Sequence, residues 1–218
     1  MYNKSMERTY LCIDMKSFFA SVECAERGLN PFETNLVVAD PSRGSGAITL
    51  AITPKMKSLG VKNRCRIYEI PKNIEYITAL PRMSKYIEYT ADIYGIYLKY
   101  IDKNDIHVYS IDESFIDVTD YLKMYNKTAK EFTKMLIDEI ARTKGVPSSA
   151  GIGTNLFLAK ISLDITAKKS KDYVGYLDEE LYKKTLWNHR PLTYFWHVGK
   201  GIANRLARKG IFDMYGVA

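Results

Sequence analysis

Apolar residues fall in short runs broken by turn-forming residues, and the runs alternate between two periods. Tyr10-Leu11-Cys12-Ile13 is an apolar run that ends on Asp14, which predicts a buried strand. Ser17 predicts a helix N-cap, with Phe18, Val22 and Ala25 on one face until Gly28. Residues 36–39 and 47–52 predict strands, joined through the turn-rich residues 40–46. Thr53-Pro54 fits a cap and the first residue of a short helix that closes at Gly60. Residues 74–80 predict another strand.

Residues 81–101 carry the longest helical pattern, with Met83, Ile87, Ala91, Tyr94, Leu98 and Ile101 three or four apart. Residues 106–111 and 114–118 are two apolar runs joined through Asp112-Glu113. That gap is too short for a crossover, so it predicts an antiparallel hairpin. Residues 127–144 predict a helix ending at Gly145, residues 148–153 a strand, and residues 155–168 a helix. After Lys171 the chain reads as short helical pieces and turns. The order of elements predicts an α/β or α+β fold with a mixed or antiparallel sheet.

Composition narrows the class. The 218 residues are 46% hydrophobic and 26% charged, enough apolar surface to exclude disorder as the main state. No run approaches the roughly 18 apolar residues of a membrane span, and the first ten residues lack an apolar signal-peptide core. Cys12, Cys24 and Cys65 are odd in number, with no Cys-x-x-Cys pair, which predicts reduced thiols and a cytoplasmic protein. His107, His189 and His197 show no paired spacing, against a zinc site. Seventeen tyrosines predict many rings packed with the hydroxyl in water. The 32 Lys+Arg against 25 Asp+Glu give a net charge of +7, weak support for a polyanionic partner.

The chemistry is in the acids. Asp14 ends an apolar strand, and Asp112 and Glu113 interrupt a run flanked by Tyr109, Ile111, Phe115 and Ile116. A carboxylate buried there costs several kcal/mol unless a cation compensates it. Three carboxylates without His or Cys form a hard-oxygen set suited to Mg²⁺ or Mn²⁺ and a substrate phosphate. The plainer alternative is that Asp14 caps the helix after it and Asp112-Glu113 is a polar turn. Phe18-Phe19 directly after the first acid weighs against that alternative.

The segments YLCIDMKSFFASVE, AITPKMKSLGVK, YSIDESFIDVT, SAGIGTNLFLAKISLDITAKK and FWHVGKGIANRLARKGI together resemble the Y-family (translesion) DNA polymerases of the UmuC/DinB-like type. The resemblance implies an α+β fold: a palm with a mixed β-sheet backed by helices, small fingers, and the start of a helical thumb with a helix-hairpin-helix. It divides the chain into palm (residues 1–17 and 79–171), fingers (18–78) and partial thumb (172–218), with the C-terminal little-finger domain absent. It implies template-directed DNA synthesis in damage tolerance, with primer-template DNA and a dNTP as partners. A sliding clamp is implied as partner of the full-length protein, and this fragment is expected to be weakly active or inactive.

Carried over residue by residue, Asp14, Asp112 and Glu113 resemble the metal-binding carboxylates, with the Met15 backbone carbonyl as a further ligand. Two Mg²⁺ ions are implied, Mn²⁺ being the alternative. Phe19 falls at the sugar steric gate, and Phe18 is assigned to the core beside it, within the nucleotide-binding set. Lys57 and Lys168 resemble the triphosphate-binding cations. Pro54 stands where DinB-like members carry a Tyr, and Thr53 is the candidate substitute through its hydroxyl. Ser110 is read as satisfying hairpin backbone, and Lys160 has no readable role. Gly199, Lys200, Gly201 and Arg205 resemble the thumb's DNA-phosphate grip, helped by Arg208 and Lys209. Two rivals stay open: a palm-type nucleotide cyclase, and a DNA-binding fragment without activity.

Overall fold

The structure is a computed structural model that describes residues 8–218. The polar start at residues 1–7 lies outside the described residues. In chain order the elements are β1 (Tyr10–Met15), α1 (Phe18–Ala25), β2 (Leu36–Val38), β3 (Ala51–Ile52), α2 (Pro54–Ser58), β4 (Ile77–Ala79), α3 (Met83–Leu98), β5 (Ile106–Val108), β6 (Glu113–Asp117), α4 (Thr119–Met124), α5 (Ala129–Lys144), β7 (Ser148–Gly153), α6 (Leu156–Ile161), β8 (Val174–Leu177), α7 (Glu179–Leu186), α8 (Lys200–Ala207) and α9 (Met214–Val217).

Two sheets organise them. The larger runs β5-β6-β1-β7-β8, and the smaller β3-β2-β4. In the larger sheet β1 pairs antiparallel with both β6 and β7, while β8 runs parallel to β7. Side chains alternate across a strand, so β1 serves two cores. Leu11, Ile13 and Met15 face Phe132, Leu136 and Ile140 of α5 and Ile93, Ile96 and Tyr97 of α3. Cys12 faces the other way, toward Phe115, Ala159 and Leu163. The smaller sheet shares the first core through Leu36, Val38 and Ala51. Its other face has a core of its own around Val37, Ile52 and Met56.

The close approach of α6 to β7 depends on glycine. A Cβ at Gly151 would stand 2.1 Å from the Ala159 carbonyl oxygen, and one at Gly153 2.2 Å from the Ala159 nitrogen. Only bare backbone fits, so α6 lies directly on the strand. Asn155 caps it by accepting from the Leu158 N–H at 2.8 Å.

Several expectations need correction. Helix α3 buries Tyr86, Tyr89, Ile93, Ile96 and Tyr97, not the stripe of Met83, Ile87, Ala91, Tyr94 and Leu98. Both stripes satisfy helical spacing; the tyrosine face wins because the Tyr86 and Tyr89 hydroxyls donate to Glu23 and Glu26 of α1's turns. Many tyrosines are half-buried as expected, among them Tyr94, Tyr100, Tyr121 and Tyr125, and Tyr86 and Tyr97 are exceptions, fully buried. Ser17 takes the N-cap position of α1 with left-handed backbone (φ 49°), and its side chain makes no capping bond. The strand expected at 47–52 narrows to β3, because residues 47–49 bond instead to the 65–67 segment. The helix expected at 155–168 is α-helical only to Ile161, then turns π-helical over Ser162–Thr166 and 3-10 over Ala167–Lys169. Strand β8 falls where only turns and short helices were expected. Its four residues include Gly175, where a Cβ would meet the Ser162 carbonyl oxygen at 2.6 Å. Helix α4 was not foreseen either.

Candidate active site at the sheet end

The carboxylates are placed by register. Asp14 on β1 stands directly opposite Glu113 on β6, so their side chains share a face. The Met15 N–H donates to the Asp112 carbonyl at 2.9 Å, which ties the hairpin turn to the end of β1. The turn spans residues 109–112, so Glu113 sits in the strand rather than in the turn. Ser110 does more than satisfy backbone: its hydroxyl donates to the Asp112 carboxylate at 2.7 Å.

Asp14 and Asp112 open on a cavity of about 440 Å³, also lined by Met15, Phe18, Phe19, Leu50, Lys57, Asn63, Arg64, Ser110 and Ile111. Glu113 turns away from it. Its carboxylate accepts from Lys160 Nζ at 2.8 Å and from Cys12 Sγ at 3.2 Å. Lys160 also reaches Asp164 at 3.3 Å. Burial works against the Lys160 charge, yet the hydrogen bond to Glu113 and the field of Asp164 raise its pKa overall. Asp14 has no such partner. Burial first, and then the fields of Asp112 and Glu113, push its carboxyl up to about 7. Among the described residues no three His, Cys, Asp or Glu side chains stand as a preformed metal cage. The donor set nonetheless fits a hard cation: two carboxylates share one cavity and neither has a cation within 4.0 Å among the described residues, while the third, Glu113, is held by Lys160.

The other assignments divide. Phe19 stacks on Tyr86 with ring centroids 4.3 Å apart at 12° and turns partly to the cavity, while Phe18 is buried in the core. Glu23, fully buried, holds the Tyr86 hydroxyl at 2.9 Å and is itself held by Arg82 and Arg27. Lys57 lines the cavity; burial lowers its pKa. Lys168 is exposed and does not line it, although its charge acts on Lys57 and Lys16. Thr53 is a correction. It is fully buried, and its hydroxyl donates to the Thr34 carbonyl at 2.8 Å while accepting from the Leu36 and Met56 N–H groups. That hydroxyl is consumed by backbone and leaves the nucleotide-binding set.

Sequence reasoning passed over Arg64. It has left-handed backbone (φ 57°) and lines both the acidic cavity and a neighbouring one of about 930 Å³ with Arg43 and Arg66. Its place depends on a loop conformation with no periodic signal, though a basic residue between two short elements was a clue. The segment after β8 packs on α6 through Leu186, Leu192 and Phe195. At the start of α8, Gly199, Lys200, Gly201 and Arg205 are exposed. A Cβ at Gly199 or Gly201 would meet nothing in the chain, so internal packing does not require those glycines.

Comparisons with known proteins place the family and the fold. The model of the impB/mucB/samB family matches residues 13–164. DNA polymerase IV 2 of Bacillus subtilis (strain 168) is 37% identical over 216 residues, 97% of this chain and 50% of that protein. DNA polymerase IV 2 of Halalkalibacterium halodurans is 32% identical over 94% of this chain and 49% of that protein. The chain thus spans about half the length of the curated relatives it matches. Among solved structures, DinB from Sulfolobus solfataricus superposes with a TM-score of 0.73 at 26% identity, covering 94% of this chain and 58% of that one. An insertion ternary complex of Dbh DNA polymerase reaches 0.76 at 23% identity, with the same coverage, and supports the fold. With the family model matched over residues 13–164, the chain belongs to the impB/mucB/samB family, the Y-family DNA polymerases.

Proposed function

We propose that the chain is the catalytic part of a template-directed DNA polymerase that adds deoxynucleotides to a primer 3′ end during translesion synthesis. The observation that carries the reading is the Asp14–Glu113 register, with Asp112 beside it, at a cavity whose other wall is Phe19, Lys57 and Arg64. Asp14, Asp112, Glu113 and the Met15 carbonyl would hold two Mg²⁺ ions, or Mn²⁺ in their place. When bound, the ions supply charge neutralisation at the attacking and leaving oxygens of phosphoryl transfer. Glu113 would join the set if Lys160, which now holds its carboxylate, gave way to the metal. Phe19, supported flat by Tyr86, leaves no room for a 2′-hydroxyl beneath the sugar. Lys57, Lys168 and Arg64 hold the triphosphate as charges on long arms. Gly199, Lys200, Gly201 and Arg205 grip DNA phosphates without reading bases.

Primer-template DNA and a dNTP are the partners, with a sliding clamp as partner of a longer product, and the place of action is the nucleoid of a bacterial-type cytoplasm. Among the described residues no helix is long and apolar enough to cross a membrane.

The test is primer extension with Mg²⁺ and dNTPs, run on the 218-residue chain and on the longest product of its gene, beside ATP or GTP alone. Extension by the longer protein is expected, abolished by Asp112→Ala with DNA binding retained. Phe19→Ala should raise ribonucleotide incorporation. A cyclic nucleotide product would instead make the chain a cyclase, and DNA retention without extension a binding fragment.

A further inference from the structure

Two hydrogen-bonded turns meet through one aromatic contact. The first leads to the acids. The Tyr109 and Ser110 N–H groups both donate to the Glu113 carbonyl at 3.0 Å, which closes the turn that holds Asp112. The second leads to α8. The Val198 N–H donates to the Phe195 carbonyl at 3.0 Å, His197 between them has left-handed backbone (φ 63°), and Gly199 follows as the N-cap residue of α8. Trp196 stands three residues before Gly199, as Tyr109 stands three residues before Asp112. Three residues reach at most about 11 Å, so a contact between these two rings ties the acids to α8 by a short path.

The rings do meet. Trp196 packs on Tyr109 with centroids 5.7 Å apart at 74° and on Phe115 at 5.6 Å and 37°. Tyr109 meets Phe115 edge-on at 5.6 Å and 85°, which closes a triangle. Aromatic pairs at such distances attract one another beyond the area they bury. The Trp196 Nε1–H also donates to the Tyr109 hydroxyl at 3.3 Å. Phe115 is buried on β6 two residues after Glu113, so strand alternation places it on the acid face of the sheet. Trp196 packs as well against the cluster of Leu186, Leu192 and Phe195 that follows β8. The strand that carries Glu113 therefore seats the segment that presents Gly199, Lys200 and Gly201.

We propose that Trp196 is a positioning residue: wedged against Tyr109 and Phe115, it sets the distance between the carboxylates and the DNA grip at the start of α8. The inference rests on the polymerase reading. A duplex held at its phosphates by α8 presents its 3′ end to the acids only when that distance is right, and a misplacement of about 1 Å costs about a hundredfold in rate. In this role Trp196 need touch neither DNA nor nucleotide, and no bond to it is made or broken.

The test is single-turnover primer extension by the longest product of the gene, at saturating enzyme, with the Kd for primer-template measured separately by fluorescence anisotropy. The single-turnover rate does not count misfolded protein, so a loss of folding alone lowers the amplitude and leaves the rate. Trp196→Ala should slow extension by about tenfold or more, while the Kd stays within about threefold because the phosphate contacts are intact. Trp196→Phe keeps a ring in the wedge and should recover most of the rate. Tyr109→Phe keeps the triangle and loses one long hydrogen bond, so it should stay within about twofold of wild type. Tyr109→Ala reaches the same contact from the hairpin, at an exposed residue, and carries the test where Trp196→Ala does not fold. It should slow extension as Trp196→Ala does, and the double variant should be no slower than the slower single one, since both remove one contact. If wild type extends and both alanine variants keep its rate, whatever their Tm, Trp196 is packing only and the inference is overturned alone. A loss that lies in the Kd and vanishes at saturating enzyme would make Trp196 part of the grip and overturn it as well. If wild type does not extend primers, the polymerase reading fails and takes the inference with it.

Discussion

The two walls of the acidic cavity are built differently. The carboxylate wall stands on the central strands of a five-stranded sheet, where register sets Asp14 against Glu113 and leaves neither freedom to drift. The cationic wall stands on small pieces: Lys57 on the five-residue α2 and Arg64 in a loop with left-handed backbone. The acids would bind metal at the reacting atoms, where an error of an ångström is expensive. The cations would bind a mobile, highly charged triphosphate, where reach matters more than position. On the proposed function, rigid elements would carry the chemistry and long side-chain arms the substrate.

Breaking the rigid wall should have the largest effect. Gly151→Ala puts a methyl 2.1 Å from the Ala159 carbonyl oxygen, and both partners are backbone. Helix α6 must lift from β7, removing Lys160 from Glu113. The expected loss is about 3 kcal/mol or more, or a fall in Tm of about 10 °C for a chain of this size. Thermal denaturation followed by circular dichroism checks it; an unchanged Tm would mean that α6 is not seated where the structure has it.

Lys160→Met tests the same wall from its charge. Among the described residues Glu113 then keeps Cys12 alone as side-chain partner, and breaking a buried pair on one side costs about 3 kcal/mol. The loss should shrink when Mg²⁺ or Mn²⁺ is added, because a metal at Glu113 replaces the missing cation. A loss of stability that metal does not reduce would show that Glu113 is a structural acid and not a ligand.

Asp14 and Glu113 were legible in the sequence because each is an acid at the end of an apolar strand, and pairing of neighbouring strands does the rest; Asp112 lies in the turn beside them. The face of α3 was not legible, since two stripes had equal claims and the choice depended on Glu23 and Glu26, far away in sequence. Strand β8 was hidden by its glycine and its shortness. Thr53 was legible as a cap but not as a buried one; whether a hydroxyl meets backbone or ligand is decided by the neighbours that folding brings. Lys57 could be named from its motif, but Arg64 could not, because a loop's left-handed residue leaves no periodic trace.

Asp14 allows the contrast to be followed by pH. Its carboxyl is raised from 3.8 to about 7 by burial and by the neighbouring acids. The folded protein therefore holds a proton that the unfolded chain has lost between those values. Its contribution is fully present below about 4 and is lost as pH rises toward 7, so metal-free stability should fall across that window. A divalent cation competes with this proton, so the rise in Tm on adding Mg²⁺ should be larger at pH 8 than at pH 5.5. Asp14→Asn should flatten both trends.

The smallest effect belongs to the cationic wall, and it separates the two kinds of construction most cleanly. Arg64 makes no ion pair among the described residues, so Arg64→Ala removes charge at the cavity without leaving a buried partner stranded. Stability should stay within about 0.5 kcal/mol of wild type, as for other surface changes. Alanine at φ 57° is no more strained than the arginine it replaces. What should change is nucleotide affinity, by a few-fold, measured as tripolyphosphate binding in Mg²⁺ and, in a protein that extends primers, as a higher KM for dNTP at nearly constant kcat. If Arg64→Ala instead lowered Tm by as much as Lys160→Met, the arginine would be holding the loop after α2 together. The cationic wall would then be as rigid as the acidic one.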